Sequence, residues 1–195
     1  MKYHPLETLP LQAGVNVTRP VEPPRLVHLD DPATDVMTDF SKVIPITTTA
    51  DATIDDALEI MKNQGVRLLL VMNAEEQIIG IITAADIQGN KPIERVQELR
   101  ISHADITVAM IMTPQSDIQG LPLAQVKHFQ VGHIAETLRQ LECLHILVMD
   151  SDANNKQTVC GLFAISQIRK QLTPRSHLSE SDHTPTVLEL VRNSG

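Results

Sequence analysis

The chain repeats itself, and a repeat constrains the fold more than any single motif. Leu69-Leu70-Val71-Met72-Asn73 returns as Ile146-Leu147-Val148-Met149-Asp150, 77 residues later. At the same spacing Ile44-Pro45-Ile46 returns as Leu121-Pro122-Leu123, and Ile54, Leu58 and Met61 return as Val131, Ala135 and Leu138. Gly80-Ile81-Ile82 returns as Gly161-Leu162-Phe163 at a spacing of 81, because the second copy carries a longer polar turn over 151–158. Val36-Met37-Thr38 has its counterpart in Ile111-Met112-Thr113. Pattern, proline and glycine recur in the same order, so two small homologous units are expected in place of one continuous domain.

Each unit reads as strand, helix, strand, strand, helix. Residues 43–46 form a short apolar run broken by Pro45, which predicts a strand at a sheet edge. A polar connection over 47–52 follows, and Asp51 or Thr53 can cap the next helix. There Ile54, Ala57, Leu58 and Met61 recur at three and four, one apolar face, and Asn63-Gln64-Gly65 ends it. Residues 66–72 read as a strand and 73–77 as a polar hairpin turn. Ile78, Ile79, Ile81 and Ile82 are β-branched, suited to a strand covered on both faces, and Gly80 removes a side chain where another backbone can approach. The helix after Thr83 is short, stopped by Gly89-Asn90-Lys91-Pro92. Helices on one side of a sheet leave its other face apolar, so the two units are expected to pack sheet to sheet. The organisation read from this is a proline-rich arm over 1–30, a first unit over 31–92, a linker over 93–105 with Ile93, Val96 and Leu99 at helical spacing, a second unit over 106–172, and a polar tail over 173–195.

The strand over 78–83 runs straight into a helix start at Thr83, with Asp86 three residues on. Exposed N–H groups at a helix start attract an anion, and a hydroxyl beside a carboxylate can hold a phosphate and a sugar diol. Thr-x-x-Asp is equally close to a capping box, which only starts a helix. The second copy bears on the choice. There Ala164 stands for Thr83 and Gln167 for Asp86. Alanine offers a phosphate no hydrogen bond, and glutamine lacks the paired acceptors of a carboxylate. Ser166 lies at the wrong offset to replace either. One site is therefore competent and the other degraded. Lys91, Arg95 and Arg100 lie between the copies and could meet phosphates or simply be solvated.

Other chemistries find little support. The formal net charge is -8 with no basic cluster, which disfavours nucleic acid and anionic membrane as partners. No apolar run is long enough to span a bilayer. Cys143 and Cys160 read as buried thiols and not as a disulfide or a metal site. His128 and His133 are five apart, not at the three or four of a helical ligand pair. No phosphate-binding loop, zinc-protease or dinucleotide signature occurs, so neither a catalytic nor a metal-ligating set is expected.

Asp35-Val36-Met37-Thr38, Leu70-Val71-Met72-Asn73 and Gly80-Ile81-Ile82-Thr83-Ala84-Ala85-Asp86 together resemble the tandem CBS-domain proteins. Their two-copy arrangement is called a Bateman module, and the likeness, to the stand-alone bacterial type, covers about 31–172. It implies an α/β fold: two tandem β-α-β-β-α units packed sheet to sheet with pseudo-two-fold symmetry. It implies that Thr83 holds a phosphate and Asp86 the ribose hydroxyls of an adenosine ligand. Ile44, Pro45, Ile46, Leu69 and Val71 would flank the adenine, and His145 would face the cleft from the second copy. Leu70 and Leu147 stand where the family usually has proline. The implied function is sensing of AMP, ADP, ATP or S-adenosylmethionine by a non-catalytic cytoplasmic homodimer that regulates a protein partner. The alternative is a ligand-free, partner-regulating scaffold.

Overall fold

The computed structural model describes residues 26–154 and 156–172; the expected N-terminal arm up to residue 25 and the tail from 173 lie outside the described residues. After a single 3-10 turn at Ala33–Val36 the chain forms β1 (Thr38–Asp39), β2 (Thr47–Thr49), α1 (Ile54–Gln64), β3 (Leu68–Met72), β4 (Ile78–Thr83), α2 (Ala84–Gln88) and α3 (Lys91–Leu99). It continues through α4 (Val108–Ile111), β5 (Thr113–Pro114), β6 (Gly120–Pro122), α5 (Leu123–Val126), α6 (Val131–Gln140), β7 (His145–Ser151), β8 (Gln157–Ala164) and α7 (Ile165–Gln171). The local rules explain much of this. Thr53 caps α1 by accepting from the Asp56 N–H (3.1 Å), and Gly65 ends it at φ 66°, a left-handed conformation that glycine adopts without strain.

Two four-stranded sheets result, in the orders β2-β3-β4-β5 and β1-β8-β7-β6. Each has a parallel first pair, β2 with β3 and β6 with β7, and an antiparallel second pair. Each sheet packs its helices on one face, around Ile54, Met61, Leu69 and Ile82 in the first and Val131, Leu138, Val148 and Phe163 in the second. The opposite faces meet through Leu68, Leu70 and Leu147, joined by Phe40, Ile81 and Leu162. The expected sheet-to-sheet pair of β-α-β-β-α units is the observed architecture.

The units also exchange their leading segments. β1 pairs with β8 of the second sheet, and β5 with β4 of the first. Val36 is buried in the second core and Ile111 in the first, about 1.5–3 kcal/mol of apolar burial each. The backbone repeats the exchange: Val108 N–H donates to the Ala52 carbonyl (2.8 Å), and Gly132 N–H to that of Leu29 (2.8 Å). The repeated glycines follow from it. A Cβ on Gly80 would lie 2.8 Å from both Met112 Sδ and the Thr113 carbonyl; one on Gly161 would lie 2.9 Å from the Thr38 carbonyl and 3.1 Å from Met37 Sδ.

Two expectations need correction. The first strand is not 43–46 but Thr47–Thr49, inside the stretch read as a polar connection, and Ile44 is 87% exposed. Threonine is β-branched and suits a strand as well as isoleucine does, and pairing with Leu70, Val71 and Met72 decides the register. Pro45 is consequently not the counterpart of Pro122. Thr47 pairs with Leu70 and Gly120 with Leu147, so Thr49 corresponds to Pro122. The two Pro-centred triplets match four residues out of structural step, and the second unit uses those residues for the extra turn α5. The linker is the helix α3, but only Val96 of its three apolar positions packs on the core, while Ile93 and Leu99 stay exposed.

Candidate functional site

The strand β4 delivers Thr83 to the start of α2 in extended conformation (φ -116°, ψ 159°). Its Oγ1 accepts from the Asp86 N–H (3.2 Å) and donates to Asp86 Oδ2 (2.6 Å), which also accepts from the Thr83 N–H (2.9 Å). This is a complete capping box. It turns the carboxylate so that Oδ1 meets Lys91, at 2.6 Å from Nζ. The same ammonium donates to the Ile111 carbonyl (3.2 Å), on the segment leading into β5. Asp86 is 15% exposed and Lys91 46%.

Thr83 and Asp86 stand at the margin of a cleft of about 510 Å³ between the units. Leu68 and Ile81 form its first-unit wall; Asp117, Cys143, His145 and Leu147 come from the second. Strand alternation explains the choice: Leu68 shares a face of β3 with Leu70, and His145 a face of β7 with Leu147. Three of the expected site residues therefore come together here, Thr83, Asp86 and His145. The others do not. Leu69 and Val71 are fully buried on the helix side of β3, in the core with Ile54 and Met61. Ile46 packs at the edge of that core, and neither it, Ile44 nor Pro45 lines the cleft. Sequence reasoning missed Leu68, Ile81 and Leu147, because an unbroken apolar run such as Leu68-Leu69-Leu70-Val71 gives no alternation from which to read its faces.

Burial foremost, and the positive charge of Arg67 after it, lower the pKa of His145 from 6.5 to about 4 against the opposing charge of Asp86. The imidazole is neutral at physiological pH and offers the cleft a donor, an acceptor and a flat ring. Burial pushes the Cys143 thiol upward, away from thiolate chemistry. No group of three or more potential metal ligands occurs among the described residues. A second cavity of about 490 Å³ lies on the helical side of the second unit, between Leu29, Phe129 and Ile134. None of the expected site residues lines it.

The family model for the CBS domain matches residues 33–90. That span holds β1 to β4 and ends just past the Thr83–Asp86 box. The first unit is a CBS domain, and the second unit repeats its fold. No curated protein matches the chain significantly. Among solved structures, an uncharacterized conserved protein from Pyrococcus horikoshii is similar over 80% of this chain and 100% of its own, at 21% identity and a TM-score of 0.53. A CBS-domain containing protein from Agrobacterium tumefaciens is similar over 74% of this chain and 94% of its own, at 15% identity and a TM-score of 0.52. These likenesses concern the fold, including that of the second unit.

The two units differ at the position that matters. His145 pairs with Ala164 as Leu68 pairs with Thr83, so Ala164 is the structural counterpart of Thr83. Ala164 precedes α7 with no side-chain cap, and Gln167 is exposed, its amide donating to Gln171 (3.2 Å). Helix α7 forms without the pair that α2 has. Arg95, expected between the copies, donates to the Met110 carbonyl (3.0 Å) and pairs with Glu98.

Proposed function

We propose that this CBS protein is a regulatory binding protein, not a catalyst, with one adenosine-type site per chain at the Thr83–Asp86 cleft. The observation that carries the reading is the division of labour on one carboxylate. Oδ2 is spent on the cap, which fixes the side chain, while Oδ1 takes Lys91 at the margin of a cleft also lined by a neutral His145 and the apolar Leu68, Ile81 and Leu147. A ribose diol can donate to the remaining lone pair of Oδ1, and an adenine suits an apolar slot with one imidazole. The second unit presents Ala164 and Gln167 and lacks these acceptors. AMP, ADP, ATP and S-adenosylmethionine all carry the required diol and base. The chain acts as a cytoplasmic homodimer whose ligand occupancy is relayed to a protein partner.

A thermal-shift series with AMP, ATP and S-adenosylmethionine tests this, since a ligand selective for the native state raises apparent stability by mass action. At least one should stabilise, and calorimetry should fit one site per chain. Two comparable sites, or no shift with any of the three, would overturn the reading. Light scattering should give a mass near two chains. The ligand-free scaffold keeps one observation in its favour: the cap and Lys91 already engage both oxygens of Asp86. It predicts loss of stability on removing Thr83 with no ligand effect to lose.

A further inference from the structure

Lys91 is badly placed for the helix it begins. It is the first residue of α3, whose N-cap Asn90 makes no side-chain cap bond, and a cation at a helix N-terminus opposes the helix dipole. Its ammonium instead reaches back to Asp86 Oδ1 (2.6 Å) and across to the Ile111 carbonyl (3.2 Å). Two of its three N–H groups are thereby placed, and the third has no protein partner among the described residues. The pair it forms with Asp86 is neutral as a unit, and Asp86 lines the cleft together with Asp117 and Glu142, with the ammonium directly behind it.

We infer that Lys91 selects the charge of the ligand, admitting an adenosine ligand that carries an anionic substituent and disfavouring one that carries a cationic sulfonium. The inference rests on reading the Thr83–Asp86 cleft as an adenosine site. A diol that binds Asp86 Oδ1 comes to rest beside the ammonium, and a phosphate on the same ligand lies within several ångströms of it. Without Lys91 that phosphate would face Asp86, Asp117 and Glu142 with only Arg67, whose charge reaches His145, to offset them. With it, the third N–H is available to the phosphate while the other two keep Asp86 and the segment before β5 in place. At such separations a unit charge near a protein surface changes affinity by about three- to tenfold.

Calorimetry with AMP, adenosine and S-adenosylmethionine on the parent, Lys91→Met and Lys91→Arg decides it. The parent should prefer AMP to adenosine, and adenosine to S-adenosylmethionine. Lys91→Met should weaken AMP about three- to tenfold, leave adenosine within about twofold and strengthen S-adenosylmethionine. Lys91→Arg should keep the order, and raised salt should narrow the parent's preference for AMP. Equal weakening of AMP and adenosine by Lys91→Met would show that the lysine only holds Asp86 in position, and would overturn the inference while leaving the adenosine site intact. A parent that prefers S-adenosylmethionine would overturn it too. A folded parent that binds none of the three overturns both the inference and the site.

Discussion

Replacing Asp86 with Asn should separate the two jobs of its carboxylate. In the parent, Oδ2 accepts from the Thr83 N–H and hydroxyl, and Oδ1 takes Lys91. An asparagine can keep its single oxygen in the capping box, where two donors hold it, and must then turn its NH₂ toward Lys91 and the cleft. The cap survives, so stability should stay within about 1 kcal/mol of the parent; the lost ion pair involves a half-exposed lysine and is worth about that or less. The diol, however, meets a donor where it needs an acceptor. Losing one charge-assisted bond of roughly 1.5–3 kcal/mol predicts at least about tenfold weaker binding of AMP. Asp86→Ala removes the cap as well. The cap contributes about 0.5–2 kcal/mol and the ion pair up to about 1, so this variant should lose roughly 0.5–3 kcal/mol together with its affinity. Urea unfolding and calorimetry on the same three proteins read both quantities. If Asp86→Asn bound AMP as the parent does, the assignment of Oδ1 to the diol would be wrong. If it lost stability as heavily as Asp86→Ala, the account of the cap would be wrong.

Other perturbations report on the frame and on the cleft. Gly80→Ala should destabilise by about 1–3 kcal/mol, because its Cβ meets the Thr113 backbone at 2.8 Å, and Gly161→Ala by a similar or smaller amount at 2.9 Å from Thr38; shifts in the urea midpoint check both. His145 gives a pH signature. Its folded pKa, about 4, lies below the ordinary 6.5, so between these values the unfolded chain holds a proton that the folded chain refuses. Its contribution is fully present above pH 6.5 and is lost as pH falls toward 4, by roughly 3 kcal/mol at most. His145→Gln should flatten that part of the stability–pH curve, and identical curves for parent and variant would refute the burial argument.

Much of the architecture was legible in the sequence because it rests on local chemistry and on repetition. The recurrence of Leu70-Val71-Met72 as Leu147-Val148-Met149 announced two units, Thr53 and Gly65 marked the ends of α1, and Thr83 with Asp86 marked a helix start that could also hold a ligand. The loss of that pair at Ala164 and Gln167 needed no structure to be seen. What the sequence did not determine depends on partners distant in the chain. Thr47–Thr49 is a strand because β3 lies beside it, although the apolar triplet at Ile44 looked the better candidate. Leu69 and Val71 face the core and Leu68 the cleft, because packing assigns the faces of a strand apolar on both sides. The exchange of β1 and β5 between the sheets is visible only once Gly80 is seen against Thr113, and Gly161 against Thr38. The union of Asp86 with Lys91 and His145 was likewise a tertiary decision: α3 folds back to bring one, and the packing of two sheets brings the other from the second copy of the repeat.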